Sequence, residues 1–280
     1  MTIGIVGLGL IGGSLAKAIK ENTGYKVLAY DKAESINLQA KLENACDGIL
    51  TSDNLAECEI VLIALFPRAT IDYIKENASH FRKGCIVADC SGTKRTVCEA
   101  AAPLAGENDF TFIGGHPMAG TQFPGFRNSR SSLFKNAPMI LTAHPDEGIK
   151  TLDKIKKFFI EMGFGSVIFT TPEEHDKIIA YTSQLAHVVS NAYVKSPRSS
   201  YYKGFSAGSY KDLTRVARLN EDMWSELFLE NRDNLLNEID CLISSLGEYR
   251  SAIEANDKET LRCLLKDGRE RKERVERGKE

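Results

Sequence analysis

The sequence predicts an α/β Rossmann-type dinucleotide-binding domain over residues 1–170, followed by an all-α helical domain over residues 171–280. Three observations predict it. A βαβ unit with a glycine-rich turn opens the chain, apolar strand-like runs then alternate with helical segments as far as Phe169, and beyond Thr171 nothing reads as a strand.

The opening unit runs from Thr2 to Asp31. The β-branched run Ile3-Gly4-Ile5-Val6 leads into Gly7-Leu8-Gly9-Leu10-Ile11-Gly12, then a helix-forming segment through Ile19, then the apolar run Lys26–Tyr30 ending in Asp31. Each part has a physical job if the ligand is a dinucleotide. Gly7 permits a tight turn, Gly9 lets the backbone approach a pyrophosphate, and Gly12 lets the helix lie close on the strand. Leu8, Leu10 and Ile11 fill the turn, and the helix N-terminus offers unpaired N–H groups to the phosphates. Asp31, 24 positions after Gly7, is placed to accept both ribose hydroxyls. A 2′-phosphate would meet that carboxylate, so NAD is favoured over NADP, although the neighbouring Lys32 leaves some room for the latter. The bland alternative is a glycine-rich βα turn with no ligand.

After a polar helical stretch, Ile60–Leu65 is apolar on both faces, as a central parallel strand should be, and stops at Phe66-Pro67. Cys85–Asp89 repeats the pattern before the small-residue turn Cys90-Ser91-Gly92-Thr93-Lys94. Ligands of open α/β sheets sit outside the carboxyl ends of such strands, so Leu65, Phe66, Pro67, Ser91 and Gly92 are expected to face the cofactor. A further strand, Phe110–Ile113, ends at Gly114-Gly115-His116. Strands at Met139–Thr142 and Val167–Phe169 follow. Thr171-Pro172-Glu173-Glu174 is a strong helix start, with a hydroxyl N-cap, Pro at N1 and acids in the first turn. An apolar stripe through Leu227, Phe228, Leu235, Ile239, Leu242 and Leu246 suggests a dimer seam in the helical part.

Composition narrows the function classes. The net charge is −2 and the pI about 6.3, without a long basic block, so nucleic acid is not an expected partner. No apolar run reaches the ~20 residues that span a bilayer. Seven cysteines without a Cys-x-x-Cys pair fit reduced thiols, not a disulfide framework or a metal site. The first strand begins almost at Met1 with no signal segment before it, so the expected location is cytoplasmic.

Five histidines are present. His80, His144 and the charge-flanked His175 read as solvated side chains. His116 differs: it follows a strand at the carboxyl edge of the predicted sheet, among Gly114, Gly115 and Gly120, which let the backbone make a shaped pocket instead of a helix, the bland alternative being a loop histidine that caps a carbonyl. A hydride leaving an alcohol carbon needs a base for the hydroxyl proton, and imidazole suits that role. His187 lies within the apolar stripe of the first helix after Thr171, where a satisfied core histidine is the plainer reading. Arg215 would either pair with a carboxylate such as Asp212 or hold an anionic substrate bidentately.

Taken together, the Gly7–Ser14 fingerprint, Gly114-Gly115-His116-Pro117-Met118-Ala119-Gly120-Thr121, Leu185-Ala186-His187 and Asp212-Leu213-Thr214-Arg215-Val216-Ala217 followed by Met223-Trp224 resemble the prephenate dehydrogenase family over nearly the whole chain. The resemblance implies NAD-dependent oxidative decarboxylation of prephenate to 4-hydroxyphenylpyruvate by a homodimer. His116 would accept the ring-hydroxyl proton, Arg215 would bind a substrate carboxylate, and His187 the side-chain end. Two departures stand out. The family turn reads Asp-x-Gly-Ser-x-Lys, whereas Asp89-Cys90-Ser91-Gly92-Thr93-Lys94 exchanges Gly and Ser. The hydroxyl that assists the histidine is thereby displaced, with Ser91, Thr93 or water as substitutes. Gln122 stands where relatives often carry an acid. A neutral amide cannot pair with the α-ammonium of arogenate, so it leans towards prephenate. Arogenate dehydrogenase is the nearest alternative, followed by a β-hydroxyacid-type dehydrogenase and a non-catalytic NAD-sensing module.

Overall fold

The computed structural model describes residues 1–121, 123–144, 146–205 and 207–278. In chain order the sheet domain comprises β1 (Thr2–Val6), α1 (Leu10–Asn22), β2 (Lys26–Tyr30), α2 (Glu34–Leu42), β3 (Gly48–Ile49), β4 (Ile60–Ile63) and α3 (Pro67–Asn77). It continues with β5 (Ile86–Asp89), α4 (Arg95–Asn108), β6 (Thr111–Pro117), β7 (Pro138–Thr142), α5 (Ile149–Glu161) and β8 (Ser166–Thr170). The strands form one eight-stranded sheet in the order β3-β2-β1-β4-β5-β6-β7-β8. Every neighbouring pair is parallel except β6 with β7. The order reverses between β1 and β4, and that switch point is where a doubly wound sheet opens a crevice for ligands.

Both faces of the sheet are covered, which is why β4 and β5 are apolar on both sides. One face packs Ile5, Leu62 and Ile113 against Leu15 of α1 and Phe158 of α5. The other packs Val61 and Val87 against Ile74 of α3 and Val97 of α4. The short strand β3 at the sheet edge is absent from the sequence reading, because two residues carry no periodicity.

The structure corrects the environment expected for His116. Gly114 to Pro117 do not form a loop; they extend β6 and pair antiparallel with Thr142 to Met139 of β7. The glycines there serve close approach, not conformational freedom. A Cβ on Gly114 would lie 2.2 Å from Thr142 Oγ1, and one on Gly115 2.3 Å from the Asp89 carbonyl oxygen.

After Thr170 the described residues form helices and turns only. These are α6 (Pro172–Ile179), a π-helical turn (Ala180–Leu185), α7 (Ala186–Tyr193), α8 (Gly208–Thr214), α9 (Glu221–Glu230), α10 (Arg232–Glu254) and α11 (Lys258–Glu276). Thr171 caps α6 by accepting from the Glu174 N–H, with Pro172 at N1, as its sequence predicts. The strand-to-helix change falls at Thr170, but the first compact unit spans Met1–Asn231 and the second begins at Arg232. Polar tethers account for the reach of the first unit. Asp176 of α6 accepts from the Lys94 and Arg95 N–H groups, and Asn231 Nδ2 donates to the Asp176 carbonyl and to Gln184 Oε1. All seven cysteines are unpaired. Among the described residues no helix is long and apolar enough to cross a membrane.

Candidate active site

The crevice at the switch point is lined first by the β1–α1 turn. Gly7 has φ +84°, and a Cβ there would lie 2.6 Å from the Ala64 carbonyl oxygen. A Cβ on Gly12 would fall 1.8 Å from the Gly7 carbonyl oxygen, whereas one on Gly9 would meet nothing within 4 Å. Gly7 and Gly12 therefore close the turn, and Gly9 leaves room for a group to approach the backbone. The helix that follows begins with Leu10 and Ile11, has no side-chain cap and carries no acid in its first turn. Its orphan N–H groups and positive dipole end form a cradle for an anion.

Asp31, just beyond β2, is fixed beside this cradle. Its Oδ2 accepts from the Leu8 N–H at 2.8 Å and its Oδ1 from the Ala33 N–H at 2.9 Å. Lys32 is exposed next to it. A small diol fits this carboxylate, and a phosphate would be repelled by it. Leu65, Phe66 and Pro67 form the β4–α3 turn, with Phe66 about half exposed and Pro67 at N1 of α3. The Arg68 N–H at that helix start donates to Glu226 of α9. These residues fit a dinucleotide.

The β5–α4 turn holds a buried ion pair. Lys94 and Asp89 are fully buried and their side chains contact each other directly. Lys94 Nζ also donates to the Gly115 carbonyl at 2.6 Å, while Asp89 accepts from the Gly115 N–H at 2.9 Å. Asp89 accepts from both the N–H and the hydroxyl of Ser91, which is 4 % exposed. Thr93 donates its hydroxyl to Glu230. The expectation that Ser91 faces substrate or cofactor is therefore corrected, because its hydroxyl is spent inside this cluster. Gly92 packs under α9, where a Cβ would lie 3.2 Å from Leu227. Neither Ser91 nor Thr93 is the hydrogen-bond partner of His116.

That partner is His175. His116 Nδ1 lies 2.9 Å from His175 Nε2, and His175 Nδ1 lies 2.7 Å from Asp176 Oδ1. Reading His175 as solvated is overturned: it is 2 % exposed, and Asp176 is 1 % exposed. The available signal was its spacing, since His175, Asp176, Ile179 and Ala180 share the buried face of one helix; the flanking Glu173, Glu174 and Lys177 obscured it. Burial pushes the His116 imidazole well below its ordinary pKa, and the neighbouring His175 and Lys94 add to the shift. Burial likewise lowers His175, against the pull of Asp176. For Asp176 burial acts upward, but the His175 hydrogen bond and the Arg95 and Lys94 N–H groups outweigh it and hold the carboxyl below the usual range.

A second group gathers on α7 and α8. His187 Nδ1 donates to the Val216 carbonyl at 3.0 Å, and its ring lies against Trp224 with centroids 3.9 Å apart. Its pKa is lowered by burial and by the charge of Arg215, against the Val216 hydrogen bond. Arg215 is exposed and makes no ion pair among the described residues, so the pairing with Asp212 considered from sequence is not formed. His175 and His187 sit on one helical run, α6 through α7. The structure thus brings His116 together with His175 and Asp176, and His187 together with Arg215 and Trp224. Gln122 lies outside the described residues.

Residues 15–168 match a family model described as the prephenate dehydrogenase nucleotide-binding domain, and residues 171–267 one described as the prephenate dehydrogenase dimerization domain. The chain is 30% identical over 278 residues to prephenate dehydrogenase of Bacillus subtilis, covering 93% of this chain and 72% of that protein. It is 31% identical over 265 residues to cyclohexadienyl dehydrogenase of Zymomonas mobilis, covering 91% and 89%. The crystal structure of Aquifex aeolicus prephenate dehydrogenase with hydroxyphenyl propionate and NAD⁺ superposes with a TM-score of 0.87 at 26% identity, covering 98% of each chain.

Proposed function

Because the chain belongs to the prephenate dehydrogenase family of oxidoreductases, we propose that it converts prephenate to 4-hydroxyphenylpyruvate and CO₂ by NAD-dependent oxidative decarboxylation, in the tyrosine branch of aromatic amino-acid biosynthesis. The observation that carries this reading is the His116 imidazole. It is kept neutral by its surroundings and held through Nδ1, which leaves its second nitrogen for a substrate proton.

NAD⁺ supplies the hydride acceptor. The residues that would hold it are Gly7, Leu8, Gly9, Leu10, Ile11 and Gly12 at the pyrophosphate, Asp31 and Lys32 at the ribose, and the turns Leu65–Pro67 and Gly92. His116 takes the proton of the ring 4-hydroxyl. Loss of the ring carboxylate as CO₂ then leaves an aromatic ring, which makes the step strongly downhill. Arg215, carrying no carboxylate partner among the described residues, holds a substrate carboxylate, and His187 orders the side-chain end. We assign cofactor binding to residues 1–170 and substrate binding and dimerisation to residues 171–280. On α10, Leu236, Ile243, Leu246 and Ile253 are all exposed and recur at spacings of seven and three, a stripe suited to a second copy of the chain. Seven unpaired thiols suit a cytoplasmic enzyme.

Arogenate, with an α-ammonium in place of the keto group, is the competing substrate. Gln122 offers that ammonium no charge, so prephenate is the expected preference. Purified protein is supplied with NAD⁺ and either prephenate or arogenate, and nicotinamide reduction is followed. Faster reduction with prephenate supports the proposal, preference for arogenate selects the alternative, and no reduction with either overturns both. Arg215→Lys is expected to raise the KM for prephenate about tenfold with little change in kcat, because a point charge replaces a planar fork. An unchanged KM would remove Arg215 from the site.

A further inference from the structure

Outside the dinucleotide cradle and the Lys94–Asp89 pair, the first unit holds a second chain of titratable groups, His116–His175–Asp176, in which His175 and Asp176 are buried. Nothing in the proposed reaction requires the second histidine or the aspartate. Asp176 nonetheless collects four donors. Its Oδ1 accepts from the Lys94 N–H at 2.7 Å and from His175 Nδ1 at 2.7 Å. Its Oδ2 accepts from the Arg95 N–H at 3.0 Å and Arg95 Nε at 3.3 Å. A carboxylate holding four donors is ionised and can only accept.

The protons along the chain then follow. His175 must carry its proton on Nδ1 to donate to Asp176. In the neutral ring its Nε2 is therefore a bare acceptor. At 2.9 Å from that acceptor, His116 Nδ1 must be the donor. The neutral His116 ring is left with a lone pair on Nε2, which takes no partner among the described residues. We propose that His175 and Asp176 are positioning residues that fix His116 in its Nδ1–H tautomer, leaving Nε2 as the base, and that stabilise the imidazolium formed when Nε2 takes the substrate proton. The proposal rests on His116 being that base.

The bookkeeping of the step is simple. The substrate O–H bond breaks, an Nε2–H bond forms on His116, and the electron pair stays on the substrate oxygen. The Nδ1–H bond to His175 then becomes charge-assisted, and the positive charge is shared along a line that ends on the Asp176 carboxylate. Other charges face this line. Lys94 of the β5–α4 turn opposes a cation but is paired with Asp89 of β5, and Arg95 of α4 is paired with Asp176. In this chain the relay also stands in for a hydroxyl, because Ser91 and Thr93 are bonded to Asp89 and Glu230 and position 92 has no side chain.

The bland alternative is that His175 merely ties α6 to β6. Two measurements separate them. In ¹⁵N-histidine spectra of the NAD⁺-loaded protein near neutral pH, His116 is expected to show a protonated Nδ1 and an unprotonated Nε2. A proton on Nε2 instead would overturn the relay without any variant having to fold. His175→Phe, which removes the acceptor, is expected to lower kcat about a hundredfold, with the KM for NAD⁺ unchanged. His175→Gln can accept from His116 through Oε1 and donate to Asp176 through Nε2, and is expected to restore at least a tenth of wild-type kcat. If His175→Phe kept wild-type kcat, the relay would fail while His116 as base would stand. If His116→Asn kept turnover, the base itself would fail.

Discussion

His116→Asn is expected to reduce turnover by about 10²- to 10⁴-fold, the range that a lost general base produces, while the Kd for NAD⁺ stays within a factor of two or so. The two effects separate because the cofactor cradle is built elsewhere, from the β1–α1 turn and Asp31. Asparagine keeps a polar side chain of similar size, so β6 and its pairing with β7 remain intact. Loss of both turnover and NAD⁺ binding would assign His116 a structural role. The wild-type pH profile should carry the same signature. Burial holds the His116 imidazole well below its ordinary value, so kcat/KM is expected to stay flat through neutrality and to fall only at pH below the ordinary imidazole pKa of about 6.5. Stability follows the same sign. The unfolded chain takes up the proton near that value and the folded chain resists it, so stability present above it is lost as pH falls toward the depressed folded pKa. In His116→Asn this contribution should vanish.

How much of this was legible in the sequence depends on range. The turn was readable because its logic is local: Gly7, Gly9, Gly12 and Asp31 sit within one βαβ unit, and in the structure Gly7 has a positive φ, Gly12 packs against Gly7 and the space beside Gly9 is open. The cap of α6 was readable for the same reason. The His175–Asp176 pair was not, because what makes it important is the approach of α6 to β6, between residues 59 positions apart. A buried polar pair on a helix with charged neighbours looks, in sequence, like one more solvated face. The glycines before His116 misled in a different way. Gly-Gly ordinarily marks a loop, yet at 114 and 115 it marks a strand crowded by Thr142 and Asp89. The exchanged Gly and Ser of the β5–α4 turn were visible as a departure, but which way the Ser91 hydroxyl turned depended on a buried carboxylate two residues back.

Lys94→Met is expected to cost about 3–5 kcal/mol of stability, the scale for breaking a buried ion pair by removing one partner. Denaturant unfolding should show the midpoint fall with an unchanged m-value. The ammonium is fully buried, and its removal strands the Asp89 carboxylate without a counter-charge. Asp89 would keep its bonds from Ser91 and the Gly115 N–H, which lessen the penalty but do not neutralise the charge. The Gly115 carbonyl would lose its donor as well. Position gives this pair a second consequence. Regular β5–β6 pairing ends at Ala88 with Ile113. From there Asp89 and Lys94 take over, one binding the N–H and the other the carbonyl of Gly115, the residue before the proposed base. The ion pair thus sets the register of His116 against β5, and Lys94→Met should lose turnover together with stability. Asp89→Asn added to Lys94→Met removes the stranded charge and is expected to recover part of the stability but little of the turnover. A single variant within about 1 kcal/mol of wild type would mean that water or a neighbouring side chain replaces the ammonium, and the clamp on Gly115 would then have no claim on the position of the base.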